Sequence, residues 1–207
     1  MPQTPVVLDA DRLREHVSRL GAEIAQDHAD GVVLVGVLKG ALIFLADLAR
    51  AVPDVRVEID FMSISRFAPD SGRVRILYDV QTDLTGRDVV VVEDVVDTGL
   101  TLAYLMTQLQ ARSPRSLSAC ALLDRPSRRI VPQVVRYVGV EVGEEFLLGY
   151  GLHYRDAYRN LPFIFEGDRD VVASRPLVYV ADLYRGVAAP PKREKRGGRV
   201  TEPEEVP

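Results

Sequence analysis

The sequence predicts an α/β protein built on a doubly wound, mainly parallel sheet. Strand-like apolar runs alternate with helical patterns through the middle of the chain. The four consecutive valines at residues 89–92 show no polar alternation, which favours a strand buried on both faces, as in a parallel sheet. Three acids and a turn rich in threonine and glycine follow this run, and a helical spacing of leucines begins at Leu100.

The first part of the chain is predicted to contain two helices and three strands. Asp9 can cap a first helix, whose apolar residues recur every three or four positions. Residues 32–37 have the composition of a buried strand and are followed by a helix to residue 50. Strands are predicted at residues 55–64 and 74–77, joined by a polar loop at residues 65–73.

Further strands are predicted after the central motif, at residues 117–123, 134–140 and 146–148. Cys120 is expected to be buried in the first of these strands. It is the only cysteine of the sequence, so an intramolecular disulfide is impossible. His16 and His28 are expected at the surface of the N-terminal region. A strand at residues 176–180 lies in a segment, residues 171–184, whose role the sequence does not assign.

Size and composition indicate one domain over residues 1–186 and a disordered tail over residues 187–207, which has almost no apolar content. The chain has 207 residues, a net charge of −4 and a pI near 5.5, which gives no reason to expect a nucleic-acid or membrane partner.

A short basic run in the tail could contact an anion or RNA, although a solvated tail is favoured. No signal-peptide pattern is present, so the expected location is the cytoplasm.

The acids after the valine run indicate a ligand site. Glu93, Asp94 and Asp97 should lie at the carboxyl end of a central strand, where open α/β sheets bind ligands. The turn at residues 98–101 offers hydroxyls and unpaired backbone N–H groups at a helix start, which suit a phosphate. Together they suit a phosphorylated sugar. The alternative is that one polar residue caps the helix and the acids are solvated.

The motif at residues 93–101 (EDVVDTGLT) resembles the phosphoribosyl pyrophosphate motif of type I phosphoribosyltransferases, specifically the hypoxanthine branch. Five further segments occur in the order found in that family and extend the resemblance over about residues 8–166. The resemblance implies a small hood subdomain formed by the N-terminal helix and the segment after about residue 134. The five segments are residues 36–41 (GVLKGA), 61–64 (FMSI), 122–126 (LLDRP), 146–152 (FLLGYGL) and 158–162 (YRNLP).

The resemblance also implies roles for individual residues. Asp97 would act as the general base near the purine imidazole nitrogen, a role typically worth about 10²–10⁴-fold in rate. Mg²⁺ would bind near Glu93 and Asp94, which also face the ribose hydroxyls, with His153 close to a second metal position. The remaining implied contacts are Thr98, Gly99 and Thr101 for the 5-phosphate, Leu38, Lys39, Gly40 and Arg159 for pyrophosphate, and Arg125, Phe146 and Leu147 for the purine.

Lys39 has independent support from composition. Of the 26 basic residues only three are lysines, and Lys39 is the only one outside the tail. Its alternative role is that of an ordinary surface lysine, and Arg159 could likewise be a surface arginine. The family pattern places a cis peptide bond in the loop that contains Lys39.

Three residues or pairs depart from the family pattern. Arg125 replaces a lysine that contacts the purine 6-oxo group, and the planar guanidinium is not equivalent to an ammonium group. His153 replaces a magnesium-ligating aspartate, although Mg²⁺ prefers oxygen ligands. Arg66 and Phe67 replace a Ser-Tyr pair in the mobile loop that closes over the site.

We therefore expect a magnesium-dependent phosphoribosyltransferase that makes inosine or guanosine monophosphate from the free base. Two alternatives stay open: a related enzyme with a different acceptor base, and a nucleotide-sensing regulator without turnover. Asp97 favours an enzyme, whereas His153 favours the regulator. The family resemblance also implies a homodimer or homotetramer.

Overall fold

The protein contains a six-stranded α/β sheet and a separate three-stranded sheet. The computed structural model describes residues 5–65 and 74–184. Its strands are β1 (Val6–Leu8), β2 (Val32–Val37), β3 (Val57–Ile64), β4 (Ile76–Tyr78), β5 (Asp88–Val96), β6 (Ser116–Asp124), β7 (Tyr137–Glu141), β8 (Leu147–Leu148) and β9 (Ile164–Glu166). Its helices are α1 (Ala10–Asp27), α2 (Leu42–Ala51), α3 (Leu100–Gln110), α4 (Arg169–Ser174) and α5 (Val180–Leu183).

The large sheet is doubly wound, as predicted. Among the described residues its strand order is β4-β3-β2-β5-β6-β7, with antiparallel pairing there only between β3 and β4. The valine run at residues 89–92 lies in the central strand β5, and its side chains alternate between two cores. Val90 and Val92 pack with α1 and α2, and Val89 and Val91 pack with α3. Burial on both faces explains why this strand has no polar alternation.

The small sheet corresponds to the expected hood, but its N-terminal contribution differs from the prediction. Its order is β1-β9-β8, so it joins the N-terminal strand to two strands from the end of the chain. Helix α1 instead packs against α2 and β7 of the large sheet, because its apolar stripe (Leu13, Val17, Leu20 and Ile24) is buried there. Asp9 caps α1, as predicted, by accepting hydrogen bonds from the backbone N–H groups of Asp11 and Arg12.

Two other expectations were wrong. His28, at the end of α1, is buried and not at the surface. The reason is that the His28 ring contacts Tyr137 Oη at 3.1 Å and Asp88 at 3.4 Å. Residues 176–180 do not form a strand; turns at residues 176–179 lead into α5, because Tyr179 and its neighbours pack onto the hood instead of pairing with an edge strand. Cys120 is fully buried, as expected, and its burial raises the pKa of the thiol.

Some predictions concern residues outside the described part of the chain. Arg66 and Phe67 and the tail at residues 187–207 belong to this group, and the domain boundary at residue 186 stays a prediction. Within the described residues, no helix is both long enough and apolar enough to cross a membrane.

Candidate active site

The acidic residues of the central motif lie at the carboxyl edge of the large sheet. Glu93 and Asp94 belong to the last part of β5, and Asp97 follows its end directly. Strand β5 pairs in parallel with β2 on one side and β6 on the other, so the loops after all three strands meet at this edge. Glu93 is buried, whereas Asp94 and Asp97 are half-buried. The sequence therefore predicted correctly where these three acids lie in the fold.

A tight turn follows the acids and leads into α3. Gly99 has φ = 82° and precedes the first helical residue, Leu100. A Cβ at this position would lie 2.5 Å from Val131 O, so both the backbone conformation and the close approach require glycine. The carbonyl oxygen of Thr98 accepts hydrogen bonds from the N–H groups of Ile130 and Val131, at 2.9 and 3.1 Å. The turn is thus held by the segment that follows β6, and Thr98 and Thr101 lie at the start of α3.

Two arginines from that segment bind the carboxyl end of β5. Arg129 donates to the carbonyl oxygen of Asp97 at 2.8 Å and also pairs with Asp124 at the end of β6. Arg128 Nε lies 2.8 Å from Asp97 Oδ1, which is an ion-pair distance. The approach lacks hydrogen-bond geometry, however, so Asp97 Oδ1 is a buried acceptor without a hydrogen-bond donor among the described residues.

Arg125 contains a second buried polar atom of this kind. The residue is 9% exposed, and its Nη2 donates to the carbonyl oxygen of Glu145 at 2.6 Å. Its Nε has no hydrogen-bond acceptor among the described residues. The backbone N–H of Arg125 donates to Val96 O at 3.0 Å, which fixes Arg125 beside the residue that precedes Asp97. A buried donor without an acceptor among the described residues and the ion-paired Asp97 carboxylate therefore occur on neighbouring strand ends.

Phe146 lies near Arg125, because it directly follows Glu145, whose carbonyl oxygen accepts the Arg125 hydrogen bond. Its ring is half-buried, with Tyr154 edge-on at 6.2 Å between centroids. The guanidinium carbon of Arg169, at the start of α4, lies 5.0 Å from the Phe146 centroid, a cation–π distance. The N–H of Gly167 donates to Phe146 O at 2.8 Å, so α4 is attached to this region. Leu147 is buried at the start of β8.

The loop between β2 and α2 approaches the acids of β5 from the other side. The peptide bond between Leu38 and Lys39 is cis, which agrees with the family pattern. A Cβ on Gly40 would overlap the carboxylate of Asp94, so only glycine permits this approach. Residues 38–40 and Asp94 are thus in direct proximity.

Arg159 and Lys39 converge near this loop. Arg159 Nη1 donates to Gly151 O at 2.6 Å, and the N–H of Gly151 donates to Arg159 O at 2.8 Å. Lys39 Nζ lies 3.6 Å from Asp156 Oδ2, and Arg159 Nη2 lies 3.0 Å from Asp156 Oδ1. His153 Nδ1 accepts a hydrogen bond from the N–H of Asp156 at 3.0 Å. The Arg159 hydrogen bonds and the nearby charge of Lys39 lower the pKa of the Asp156 carboxyl.

The candidate residues therefore fall into groups that share contacts. Sequence reasoning missed Arg128 and Arg129, although their position after the strand next to β5 is a usable signal, because ligand sites form where such strand ends meet. Asp156 and Arg169 had no such signal, since loops and backbone turns bring them into place. Among the described residues, no group of three or more His, Cys, Asp and Glu side chains is arranged to hold a metal ion.

Comparison with known proteins identifies the family. Residues 7–155 match the model of the phosphoribosyl transferase domain. The hypoxanthine-guanine phosphoribosyltransferase of Mycobacterium avium is 43% identical over 77% of this chain and 83% of its own length. The enzyme of the same name from Bacillus subtilis is 41% identical over 77% of this chain and 90% of its own length.

Solved structures give the same result. A crystal structure of a hypoxanthine-guanine phosphoribosyltransferase from Bacillus anthracis superposes with a TM-score of 0.76 at 37% identity, covering 80% of this chain and all of the other. A hypoxanthine phosphoribosyltransferase from Staphylococcus aureus also gives 0.76, at 36% identity, over 81% of this chain and 92% of the other. The chain belongs to the phosphoribosyltransferase family and, within it, to the hypoxanthine-guanine phosphoribosyltransferases.

Proposed function

We propose that the protein transfers the phosphoribosyl group of phosphoribosyl pyrophosphate to a 6-oxopurine, hypoxanthine or guanine, in purine salvage. The products are inosine or guanosine monophosphate and pyrophosphate. The names of the relatives support this reaction class. The observation that carries the choice of acceptor is the buried Arg125 Nε, which has no acceptor among the described residues, next to the Asp97 carboxylate, whose Oδ1 is ion-paired with Arg128 but accepts no hydrogen bond of good geometry there.

These two atoms complement one edge of a 6-oxopurine. A buried polar atom without a hydrogen-bond partner costs about 1–3 kcal/mol, so the Arg125 Nε–H at a ligand site indicates a group that the ligand satisfies. The N7 and O6 atoms of a 6-oxopurine lie side by side on the same edge. In the N7–H tautomer, N7 donates to Asp97 and O6 accepts from Arg125. A 6-amino group would instead place a donor opposite the guanidinium, which disfavours adenine.

The chemical step requires one proton acceptor. The bond between the ribose C1 and pyrophosphate breaks, the bond between C1 and the purine N9 forms, and the N7 proton passes to Asp97. General-base help of this kind is worth about 10²–10⁴-fold in rate. Phe146 stacks on the purine, and the backbone of Leu147 contacts the base edge. Arg128 and Arg129 hold the end of β5 so that the Asp97 carboxylate keeps its position.

The ribose phosphate occupies the turn before α3. Thr98, Gly99 and Thr101 bind the 5-phosphate with hydroxyls and with N–H groups that have no intrahelical partner at a helix start. Glu93 and Asp94 face the ribose hydroxyls. Orientation of the sugar between this turn and the purine converts a bimolecular reaction into one between bound and aligned groups.

The leaving pyrophosphate is bound by the loop of Leu38, Lys39 and Gly40 and by Arg159. Mg²⁺ characteristically uses one or two carboxylates together with substrate phosphates, and Glu93 together with Asp94, which lies beside Gly40, fits that donor set. When bound, the ion neutralises part of the charge that develops on pyrophosphate. His153 is a poor magnesium ligand, and its Nδ1 already accepts the Asp156 N–H.

Location and assembly follow from composition and resemblance. We propose a cytoplasmic protein, in keeping with its net charge of −4 and its single cysteine. We also propose a homodimer or homotetramer, as the resemblance to the family implies.

Detection of nucleotide products by mass spectrometry tests the proposed reaction. The protein is incubated with phosphoribosyl pyrophosphate, Mg²⁺ and a panel of purine and pyrimidine bases. We expect inosine or guanosine monophosphate and a strongly reduced yield from Asp97→Asn. A product formed only with another base would identify a different acceptor. Phosphoribosyl pyrophosphate binding without any product would identify a sensor.

A further inference from the structure

One carboxylate occupies the position between the two cations assigned to pyrophosphate. Asp156 Oδ2 lies 3.6 Å from Lys39 Nζ, and Asp156 Oδ1 accepts from both Nε and Nη2 of Arg159, at 3.2 and 3.0 Å. The side chains of Asp156 and Lys39 are 63% and 70% exposed, and that of Arg159 is 21% exposed. The exposed carboxylate of Asp156 thus bridges the exposed Lys39 and the mostly buried Arg159.

The geometry at Arg159 involves the part of the guanidinium that oxyanions use. The Nε and Nη2 donors form a planar fork that matches carboxylate and phosphate oxygens. Asp156 takes both donors of this fork, and Nη1 donates to Gly151 O at 2.6 Å. A phosphate oxygen can therefore bind the fork only if the Asp156 carboxylate moves or shares it.

His153 fixes the backbone of Asp156 in this arrangement. Its Nδ1 accepts the N–H of Asp156, three residues on, at 3.0 Å, a contact that the side-chain oxygen of an aspartate also makes in cap-type turns. Asp156 itself has φ = 63°, a left-handed conformation that aspartate tolerates better than most residues. Histidine at this position therefore keeps the turn but contributes no carboxylate, and Asp156 is the acid held beside both cations.

We propose that Asp156 is an internal counter-anion of the pyrophosphate subsite, which a diphosphate ligand displaces from Lys39 and Arg159. This inference rests on the proposed function, because it takes these two cations as the pyrophosphate ligands. The carboxylate preserves charge balance when the subsite is empty and competes with the ligand when it fills. Since the Arg159 hydrogen bonds keep the pKa of Asp156 low, the competitor stays ionised at neutral pH.

The proposal predicts the sign of a charge-removal effect. Asp156→Asn keeps the size and the backbone contact but removes the competing charge, so pyrophosphate should bind more tightly. Exposed ion pairs are individually weak, and release of two of them corresponds to a decrease in Kd of about three- to tenfold. A residue that only holds Arg159 in place would give weaker binding when altered.

Calorimetric titration of the full-length protein with inorganic pyrophosphate and Mg²⁺ measures this effect. Wild type, Asp156→Asn and Asp156→Glu are compared at two salt concentrations. Glu23→Gln is the matched control, because Glu23 is a partly exposed acid paired with Arg19 at 2.8 Å on α1 and its substitution changes the net charge equally. We expect a lower Kd only for Asp156→Asn, a wild-type Kd for Asp156→Glu and a smaller difference at high salt.

The outcomes separate the inference from the proposed function. An unchanged or higher Kd for Asp156→Asn, with measurable binding to the wild type, overturns the counter-anion role and leaves the pyrophosphate subsite intact. An equal decrease in the Glu23→Gln control also overturns it, because net charge then explains the effect. No binding to any of the four proteins overturns both. Binding to Asp156→Asn alone supports the proposal in its strongest form.

Discussion

Replacement of Arg125 by methionine should impair use of the purine base and spare use of phosphoribosyl pyrophosphate. Methionine matches the aliphatic part of arginine as far as the position of Nε but has no donor, so it removes the buried Nε–H that has no acceptor among the described residues. A hydrogen bond involving a charged group contributes about 1.5–3 kcal/mol. The loss in kcat/KM for hypoxanthine should therefore be about 10- to 150-fold. The substitution also leaves Glu145 O without its donor at 2.6 Å, which lowers the free energy of unfolding.

Steady-state kinetics with each substrate varied in turn distinguish these effects. Thermal unfolding establishes that the variant is folded at the assay temperature. Arg112→Met is the matched control, because Arg112 pairs with Asp79 at 2.6 Å and follows the far end of α3. Unchanged kcat/KM for hypoxanthine, or a loss seen only in the KM for phosphoribosyl pyrophosphate, would refute the assignment of Arg125 to the 6-oxo group.

Three other predictions test separate parts of the molecule. Phe146→Leu keeps an apolar side chain but removes the stacking surface, so the KM for the base should rise about 5- to 20-fold; an unchanged KM would assign the ring to the core. His153→Asp supplies the oxygen ligand that Mg²⁺ prefers, so steady-state titration should give a lower Mg²⁺ concentration for half-maximal rate, and no shift would count against a weakened metal site. Hydrogen bonds from Arg115 lower the pKa of the buried Asp88, so the ionised form stabilises the fold above the unfolded pKa of about 4 and this contribution is lost as pH falls. Asp88→Asn should therefore cost about 2–3 kcal/mol in urea unfolding at pH 7 and less at pH 3, where the loss has begun but is completed only at still lower pH; equal costs at both pH values would contradict the linkage.

The fold could be predicted largely because its elements have strong periodic patterns. The valine run identified β5, because a strand buried on both sheet faces has little room for polar residues. The spacing of Leu102, Leu105 and Leu109 identified α3, because residues three or four apart share one face of a helix. The position of the acids at the strand end followed from the same pattern. The segment at residues 176–180 failed because a short apolar run is compatible with a strand, a turn or a helix, and packing onto the hood decided.

The contacts within the site could be predicted only in part. Asp97 and Arg125 stand in recognisable motifs, but the contacts of their side chains depend on how the segment after β6 approaches Thr98. Asp156 reaches Lys39 across more than a hundred residues of sequence, through a loop in a left-handed conformation. His28 was misplaced for a similar reason, because its partners Tyr137 and Asp88 are distant in sequence. Such contacts follow from tertiary structure and have no local signal.

The central claim is that Asp97 accepts the N7 proton of a 6-oxopurine during transfer. Comparison of kcat/KM for hypoxanthine and 7-deazahypoxanthine, in wild type and in Asp97→Asn, tests it most directly. The account predicts that wild type prefers hypoxanthine by about 100-fold or more and that the preference largely disappears in Asp97→Asn. The same preference in both proteins would contradict the role of Asp97.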